Sequence, residues 1–186
     1  MQKIYYTFFP SPIGQIYLAA TEKGIYRVAW EYRSIEDFVK EIRSGSRVGC
    51  AHRPVKDISH FTAIKNDIER YFSGEPVSFK KYALDFKGTD FQKKVWRVLY
   101  NIPYGKVLTY KQVAEEIGKP NASMAVGSAC GANDLPIIIP CHRVIASSGG
   151  LGGFSGGLKL KEFLLRLERE CVRLTLDKSS TLFLTK

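Results

Sequence analysis

Cys141, His142 and Arg143 stand together in the chain, and these residue types can carry out nucleophilic chemistry. A thiolate is the reactive form of cysteine, a nearby cation favours it, and a histidine can accept the thiol proton. Adjacent side chains of an extended segment point to opposite faces, so contact between Cys141 and His142 requires a turn or a bridging water. Residues 137–139 are isoleucines and predict a short buried strand that Pro140 ends. The cysteine is therefore expected where a strand stops and the chain turns.

A glycine-rich segment follows the cysteine and favours a reactive role for it. Residues 147–157 contain six glycines in eleven positions, together with Phe154 and Ser155. Backbone of this kind can approach a planar ligand closely, while the ring stacks on it and the hydroxyl bonds to it. A flexible linker is the alternative for the glycines, and an ordinary buried position is the alternative for Cys141.

Glu168 is a candidate partner for the histidine. It lies at the edge of the apolar stripe of a predicted closing helix over residues 158–171. A carboxylate buried there needs a partner, and His142 would complete a set of nucleophile, base and orienting carboxylate. A solvated helix edge is the alternative interpretation of Glu168.

The elements before the cysteine must position it. Thr89 is predicted to cap a helix that reaches about Ile102, and Thr109 to cap a second helix over 110–117, where Gln112 completes a capping box. A short segment over 122–130 made of small and apolar residues follows. This outline is typical of a helix-turn-helix, although any pair of short antiparallel helices looks similar. Its small residues fit close contact with a DNA groove, or equally close packing against another helix.

The first half of the chain predicts a small α/β unit. Segments 4–9, 13–20 and 24–30 are rich in β-branched and aromatic residues and are separated by turn residues, which is typical of strands. Helices are predicted from Ser34 and over 59–72, with a loop over 44–54 between them. The possible metal ligands of this half, which are Cys50, His52 and His60, have a spacing that fits no zinc pattern.

Composition and charge narrow the function classes. The chain has 186 residues, 45% of them hydrophobic and 25% charged, with a formal net charge of +10. Residues 1–85 contribute +3 (13 basic, 10 acidic) and residues 86–186 contribute +7 (15 basic, 8 acidic). Such an excess indicates a polyanionic partner or a solubilising surface. No apolar run is long enough to span a membrane and no export signal is visible, so we expect an intracellular protein, cytoplasmic or nuclear, with reduced cysteines.

The second half of the chain resembles the O6-alkylguanine-DNA alkyltransferase family, the methylated-DNA–protein-cysteine methyltransferases. The resemblance covers about residues 86–170 in the family's order and spacing, and residues 139–144, Ile-Pro-Cys-His-Arg-Val, are its most specific block. It is carried by Phe91, Val95-Trp96, 102–105, Thr109-Tyr110, Val113-Ala114, 125–127, Asn133, 139–144, 154–157, Lys161, Leu164-Leu165 and Glu168.

The resemblance implies a fold and a domain organisation. An N-terminal α/β domain, ribonuclease-H-like and of α+β type, is expected over residues 1–82. A mainly helical C-terminal domain with a winged helix-turn-helix-like motif is expected over 86–175, followed by a short tail over 176–186. The expected protein is a monomer.

The resemblance also implies a reaction. A damaged guanine is flipped out of double-stranded DNA that carries O6-alkylguanine, and its alkyl group passes irreversibly to Cys141. His142 would take the thiol proton through a water, Glu168 would orient His142, and Tyr110 would donate to the base. The protein is consumed in one turnover and needs no cofactor and no metal. The implied base pocket contains Tyr110, Val144, Phe154, Ser155, Lys161 and Asn133, and the implied DNA-binding residues are Ser123, Met124, Ala125, Gly127 and Arg143.

Three positions depart from the family's usual pattern. Met124 stands where an arginine usually fills the gap left by the flipped base, which suggests weaker duplex capture or slower flipping. Phe154 replaces a tyrosine and loses a hydroxyl. Asp134 replaces a proline, which is expected to loosen a turn and to add a negative charge near the site. A protein that flips alkylated bases without transferring the group is the alternative function, and the presence of Cys141 argues against it.

Overall fold

Antiparallel strands at the N-terminus build the first part of the structure, a computed structural model that describes residues 2–30, 32–44 and 52–182. The strands β1 (Gln2–Ser11), β2 (Gly14–Thr21) and β3 (Gly24–Ala29) pair antiparallel in sequence order. Helix α1 (Ile35–Ser44) then crosses over to β4 (His52–Lys56), which pairs parallel with β1, so the sheet order is β3-β2-β1-β4. The three strands predicted from the sequence are confirmed.

Both faces of this sheet are covered, because alternate residues of its strands point to opposite sides. Tyr17 and Ala19 of β2 pack with Phe38 of α1 on one side. Ile16 and Leu18 point to the other side, where they join the core that the rest of the chain completes. That larger core runs without interruption into the C-terminal half, so the sheet and the helices described next share one hydrophobic interior.

Helices dominate the remainder of the chain, as predicted. They are α2 (Thr62–Phe72, after a 3₁₀ turn at Ser59–Phe61), α3 (Asp90–Asn101), α4 (Tyr110–Glu116), α5 (Ser123–Gly131) and α6 (Leu158–Leu182). Both predicted threonine caps are present, and each is a full capping box closed by a glutamine three residues later. None of the described helices is long and apolar enough to cross a lipid bilayer.

A two-stranded parallel sheet joins α4 to the cysteine segment. Strand β5 (Leu108–Thr109) pairs with β6 (Val144–Ile145), with Leu108 opposite Val144. Because β5 leads directly into α4 and β6 directly follows Cys141–Arg143, this pairing brings Tyr110 close to Cys141 in space.

The segment before the cysteine corrects one prediction. Residues 135–139 are buried but form turns instead of the predicted strand, with the Ile139 N–H bonded to the Leu135 carbonyl at 2.7 Å. Ile137 has a φ of +72°, a conformation that no regular strand contains. The isoleucines signalled burial correctly, but the prolines on either side of them cannot donate to a ladder.

Two boundaries also differ from the expectation. Helix α6 continues to Leu182, so residues 176–182 are helical where a tail was expected. The loop expected over 44–54 already contains the start of β4 at residue 52, and Cys50 lies outside the described residues, as does the side chain of His52. His60 stacks on Tyr5 with ring centroids 4.4 Å apart, and no group of three or more metal-ligating side chains occurs among the described residues.

The cap of α4 should be measurable in the stability of the protein. Thr109→Ala removes the hydroxyl that accepts from the Gln112 N–H at 3.1 Å, and should lower the free energy of unfolding by about 1 kcal/mol. Urea denaturation measures this value. Lys111→Ala, an exposed change in the same helix, serves as the control and should cost at most about 0.5 kcal/mol. Equal losses in the two variants would contradict the capping role.

Candidate functional site

Cys141 begins a single 3₁₀ turn, Cys141–Arg143, and only 2% of it is exposed. Asn133 holds the segment before it in place. The Asn133 Nδ2 donates to the Ile139 carbonyl at 2.8 Å and to the Cys141 Sγ at 3.2 Å. Its Oδ1 accepts from the Leu135 N–H at 3.0 Å. One amide side chain therefore supplies hydrogen bonds that a strand ladder would otherwise provide, and also contacts the sulfur.

The environment of Cys141 keeps its thiol protonated at rest. Burial raises the pKa of Cys141, because a thiolate loses its hydration, and the hydrogen bond from Asn133 opposes this effect without cancelling it. A nucleophilic reaction at this cysteine therefore needs a base that removes the proton as the reaction proceeds.

His142 is placed to be that base. Its imidazole is fully buried, and burial lowers its pKa despite the neighbouring carboxylate of Glu168, so the ring is neutral at pH 7. The Nε2 lies 2.8 Å from the Glu168 Oε1. An ionised carboxylate only accepts, so Nε2 carries the hydrogen and Nδ1 keeps a lone pair. Nδ1 is buried and has no hydrogen-bond partner among the described residues, which leaves it free to accept a proton.

Glu168 collects hydrogen bonds from several parts of the chain, although it is completely buried. Besides His142, the Arg143 Nε and Nη2 donate to it at 2.9 Å each, the Gly105 N–H at 2.9 Å, and the Tyr71 hydroxyl at 2.8 Å. Burial by itself would raise the pKa of Glu168, but the hydrogen bonds from His142 and Arg143, together with the charge of Arg143, outweigh it and lower the pKa to about 2. The carboxylate is thus a charged acceptor at neutral pH.

Arg143, expected among the DNA-binding residues, is buried in the structure. Its guanidinium is held by Glu168 and by the Ile102 carbonyl, to which Nη1 donates at 2.6 Å, and 6% of the residue is exposed. A guanidinium buried in this way cannot reach a DNA phosphate, so its assignment to the DNA-binding residues is corrected. Its role in the structure is to balance the buried charge of Glu168.

A cavity of about 530 Å³ opens beside these groups, between α4, α5 and the glycine-rich segment. The Tyr110 hydroxyl on its wall donates to the Gly153 carbonyl at 3.1 Å. Of the residues singled out from the sequence, its lining includes Tyr110, Ser123, Met124, Gly127, Phe154 and Ser155. The buried Cys141 does not itself line it, whereas Cys130, which the sequence analysis did not single out, does.

Lys161 and Val144 lie behind this cavity instead of on its wall. The Lys161 ammonium is buried and donates to the Val144 carbonyl at 2.5 Å, to the Gly153 carbonyl at 3.2 Å and to the Leu151 carbonyl. Burial lowers the pKa of Lys161. This lysine therefore ties β6 to the glycine-rich segment and holds the cavity wall in shape.

Helix α5 presents a nearly uncharged surface next to the cavity. Met124 is 90% exposed at its start, and Ala125 and Ser128 are exposed on the same helix. Small residues of this kind allow another molecule to approach the helix backbone closely.

Tyr71 and Gly105 are site residues that sequence reasoning missed. Tyr71 belongs to α2 and Gly105 to the turn after α3, and both bond to a carboxylate more than 60 residues away in the chain. From the sequence, Gly105 contributes only to the family resemblance, as part of the block 102–105. No local pattern marks either residue, because their partner is set by packing.

Two family models match the chain. The DNA-binding domain of 6-O-methylguanine DNA methyltransferase matches residues 90–170, and the ribonuclease-like domain of the same family matches residues 4–86.

Similar proteins carry the corresponding name. A methylated-DNA–protein-cysteine methyltransferase of Methanosarcina barkeri is 44% identical over 170 residues, which cover 91% of this chain and 100% of that protein. The Haemophilus influenzae protein of the same name is 37% identical and covers 91% of this chain and 88% of its own length. Mycobacterium tuberculosis OGT, solved in complex with DNA, superimposes with a TM-score of 0.73 at 36% identity, covering 90% of this chain and 94% of that one.

The charge on Glu168 should make stability depend on acid pH. A carboxyl whose pKa falls from 4.5 to about 2 on folding stabilises the protein above pH 4.5, and this contribution is lost as the pH falls towards 2. The loss should be about 3 kcal/mol. At pH 7, Glu168→Gln should cost about 3–5 kcal/mol, because it leaves Arg143 uncompensated.

Denaturant unfolding between pH 2 and pH 7 measures both effects. Glu170→Gln, an exposed change on the same helix, is the matched control and should unfold like the wild type. The role assigned to Glu168 fails if the gap between Glu168→Gln and the wild type is as wide at pH 2.5 as at pH 7.

Proposed function

The chain belongs to the 6-O-methylguanine DNA methyltransferase family, and from that premise we propose how its residues repair O6-alkylguanine in DNA. The protein is a DNA repair alkyltransferase that acts on its own cysteine. The assignment of roles rests on His142, which directly follows Cys141 in the chain. Its ring is neutral and its Nε2 is bonded to Glu168. Its buried Nδ1 has no hydrogen-bond partner among the described residues.

The reaction we propose is a direct displacement at the alkyl carbon. The target guanine leaves the duplex and enters the cavity beside α5, because its O6 substituent is inaccessible within the base stack. The Cys141 thiol gives its proton to the His142 Nδ1 through a water, and the sulfur attacks the alkyl carbon. The carbon–O6 bond breaks and its electron pair stays on the guanine. Tyr110 gives a proton to the base and regains one from solvent, and His142 releases the thiol proton to solvent.

The burial of Cys141 explains why deprotonation of the thiol and attack by the sulfur are coupled. A thiol with a raised pKa does not persist as a thiolate at neutral pH, so Cys141 is not exposed to chance electrophiles. Asn133 supports the developing negative charge on Sγ, and Glu168 stabilises the imidazolium formed on His142. The product is a thioether, which no group in this site can cleave, so each molecule reacts once and needs no cofactor.

We assign the base pocket to the residues that line or shape the cavity. Phe154 offers a stacking face, Ser155 a hydroxyl for O6, and Tyr110 a donor to the ring of the base. The main chain at Cys141 and Val144 is the proposed contact for the exocyclic amine. Lys161 acts indirectly, through the carbonyls that it holds.

The finer features of the fold are also proposals. The sheet order β3-β2-β1-β4, with β4 parallel to β1 after a crossover helix, supports a ribonuclease-H-like domain over residues 1–82. Helices α4 and α5 with the β5–β6 pair support a winged helix-turn-helix-like domain over 86–175. A protein of this kind acts inside the cell, where its DNA is.

We propose that DNA binding combines electrostatic attraction to the phosphates with shape complementarity between α5 and a groove. Seven of the ten net positive charges lie in residues 86–186 and would attract phosphates in a salt-dependent way. Helix α5 would enter a groove through the exposed Met124 and Ala125 and the half-buried Ser123 and Gly127. Met124 would act as an apolar wedge at the opened base step.

Transfer of a labelled methyl group tests the function. A duplex with one O6-methylguanine should transfer up to one methyl per protein, and peptide mass spectrometry should locate it on Cys141. Cys141→Ala should transfer none, whereas Cys171→Ala, which changes a partly exposed cysteine of α6, should behave like the wild type. Tight binding of the lesion with no transfer by the wild type would instead identify a non-catalytic base-flipping protein.

Met124 should limit how well the duplex is held. Met124→Arg adds a donor for charge-assisted hydrogen bonds and should tighten binding to the lesion duplex, or speed transfer, by about three- to tenfold. Fluorescence anisotropy and quenched-flow transfer measure the two quantities. Ile58→Arg adds the same charge at another exposed position and controls for simple electrostatics. Identical behaviour of the two arginine variants would overturn the wedge role of Met124.

A further inference from the structure

The end of β3, in the N-terminal half, makes two hydrogen bonds to the segment that precedes Cys141. The Arg27 Nη1 donates to the Asp134 Oδ1 at 2.5 Å, and the Val28 N–H donates to the Asp134 carbonyl at 2.8 Å. Asp134 was expected to loosen its turn and to add a negative charge near the site. Instead, its charge is paired and its backbone is bonded to β3.

Arg27 is also held in place by two residues of the N-terminal half, Tyr32 and Glu41. Its Nη2 lies 3.1 Å from the Glu41 Oε1 and 3.2 Å from the Tyr32 hydroxyl, and that hydroxyl also donates to Glu41. The Arg27 and Asp134 side chains are only 15% and 19% exposed. A guanidinium fixed on two sides and shielded in this way differs from a mobile surface pair, which contributes little.

Asp134 is one residue away from the amide that touches the sulfur. Asn133 donates to the Cys141 Sγ and to the Ile139 carbonyl. Between Asn133 and Cys141 the chain forms turns. In these turns Ile137 has a φ of +72°, which is a strained conformation for a β-branched residue. This segment has no strand-to-strand hydrogen bonds and contains a strained residue, so contacts with other parts of the chain must hold it in place. The bonds between Asp134 and β3 are such contacts.

The same strand end also contacts the cavity wall. Trp30, directly after β3, stacks on Phe154 with ring centroids 6.4 Å apart and an interplanar angle of 20°. A Cβ at Gly156 would lie 2.6 Å from the Trp30 ring, so the approach is close. The N-terminal half thus touches both the cysteine segment and the proposed base pocket.

We propose that Arg27 is a positioning residue for the alkyl transfer: by holding Asp134 it fixes Asn133 against Cys141, so the N-terminal domain sets the rate of the chemical step. The proposal rests on the proposed function. It gives the N-terminal domain, which contains none of the reacting groups, a defined part in the reaction.

Arg27→Gln and Asp134→Asn test the proposal in full-length protein. With a saturating O6-methylguanine duplex, each variant should transfer its methyl group about five- to tenfold more slowly, while the Kd for the duplex stays within about twofold of the wild type. The double variant should be no slower than the slower single variant, because both changes remove the same contact. Arg27→Lys keeps the positive charge and can still donate to Asp134, so it should recover part of the rate.

Arg33→Gln removes an exposed arginine from the same half and should leave rate and Kd unchanged. If Arg27 only stabilises the fold, the variants should transfer methyl at the wild-type rate at saturating DNA. This comparison corrects each rate for the folded fraction measured by circular dichroism. That result would overturn the proposal, as would a loss confined to the Kd.

A second measurement avoids DNA altogether. Free O6-methylguanine should transfer its methyl group to Cys141 more slowly in Asp134→Asn than in the wild type, as followed by peptide mass spectrometry, and equal rates would count against the proposal. Absence of methyl transfer by the wild type would refute the proposed function instead, so the two failures are distinguishable.

Discussion

The buried carboxylate of Glu168 is the interaction on which the rest of the site depends. A charge in the interior is stable only if its hydrogen-bonding capacity is filled, and here the donors come from α2, from the turn after α3 and from the 3₁₀ turn that contains His142 and Arg143. Satisfying one carboxylate therefore assembles elements that are far apart in the sequence. It also selects the histidine tautomer that can serve Cys141 as a base.

Burial has opposite consequences for the pKa values of the two partners of the proposed proton transfer. It raises the pKa of Cys141 and lowers that of His142, so the resting pair is neutral on both sides. Separating charge between them is favourable only where Asn133 supports the sulfur and Glu168 supports the ring. A protein that reacts once gains from this arrangement, because a thiol that stays protonated is not consumed by the wrong electrophile.

Local features of the sequence predicted local features of the structure. The capping boxes at Thr89 and Thr109 are present because a cap involves residues only three apart. The strand expected before Pro140 is wrong, because the isoleucine pattern reports burial but not where the backbone hydrogen bonds go. The DNA-binding role expected for Arg143 is wrong for a related reason, since a basic residue next to a cysteine says nothing about the carboxylate that will pair with it.

Sequence alone determined the family and identified Cys141, His142 and Glu168 as candidates, because the family's blocks are carried by residue types in a characteristic order and spacing. Tertiary structure alone decided that Tyr71 and Gly105 complete the carboxylate site, that Lys161 supports the cavity wall from behind, and that Arg27 pairs with Asp134. The contacts of Tyr71, Gly105 and Arg27 join residues that packing brings together across more than 60 positions of the chain. No periodicity or motif encodes such a contact, because it exists only once the shared core has formed.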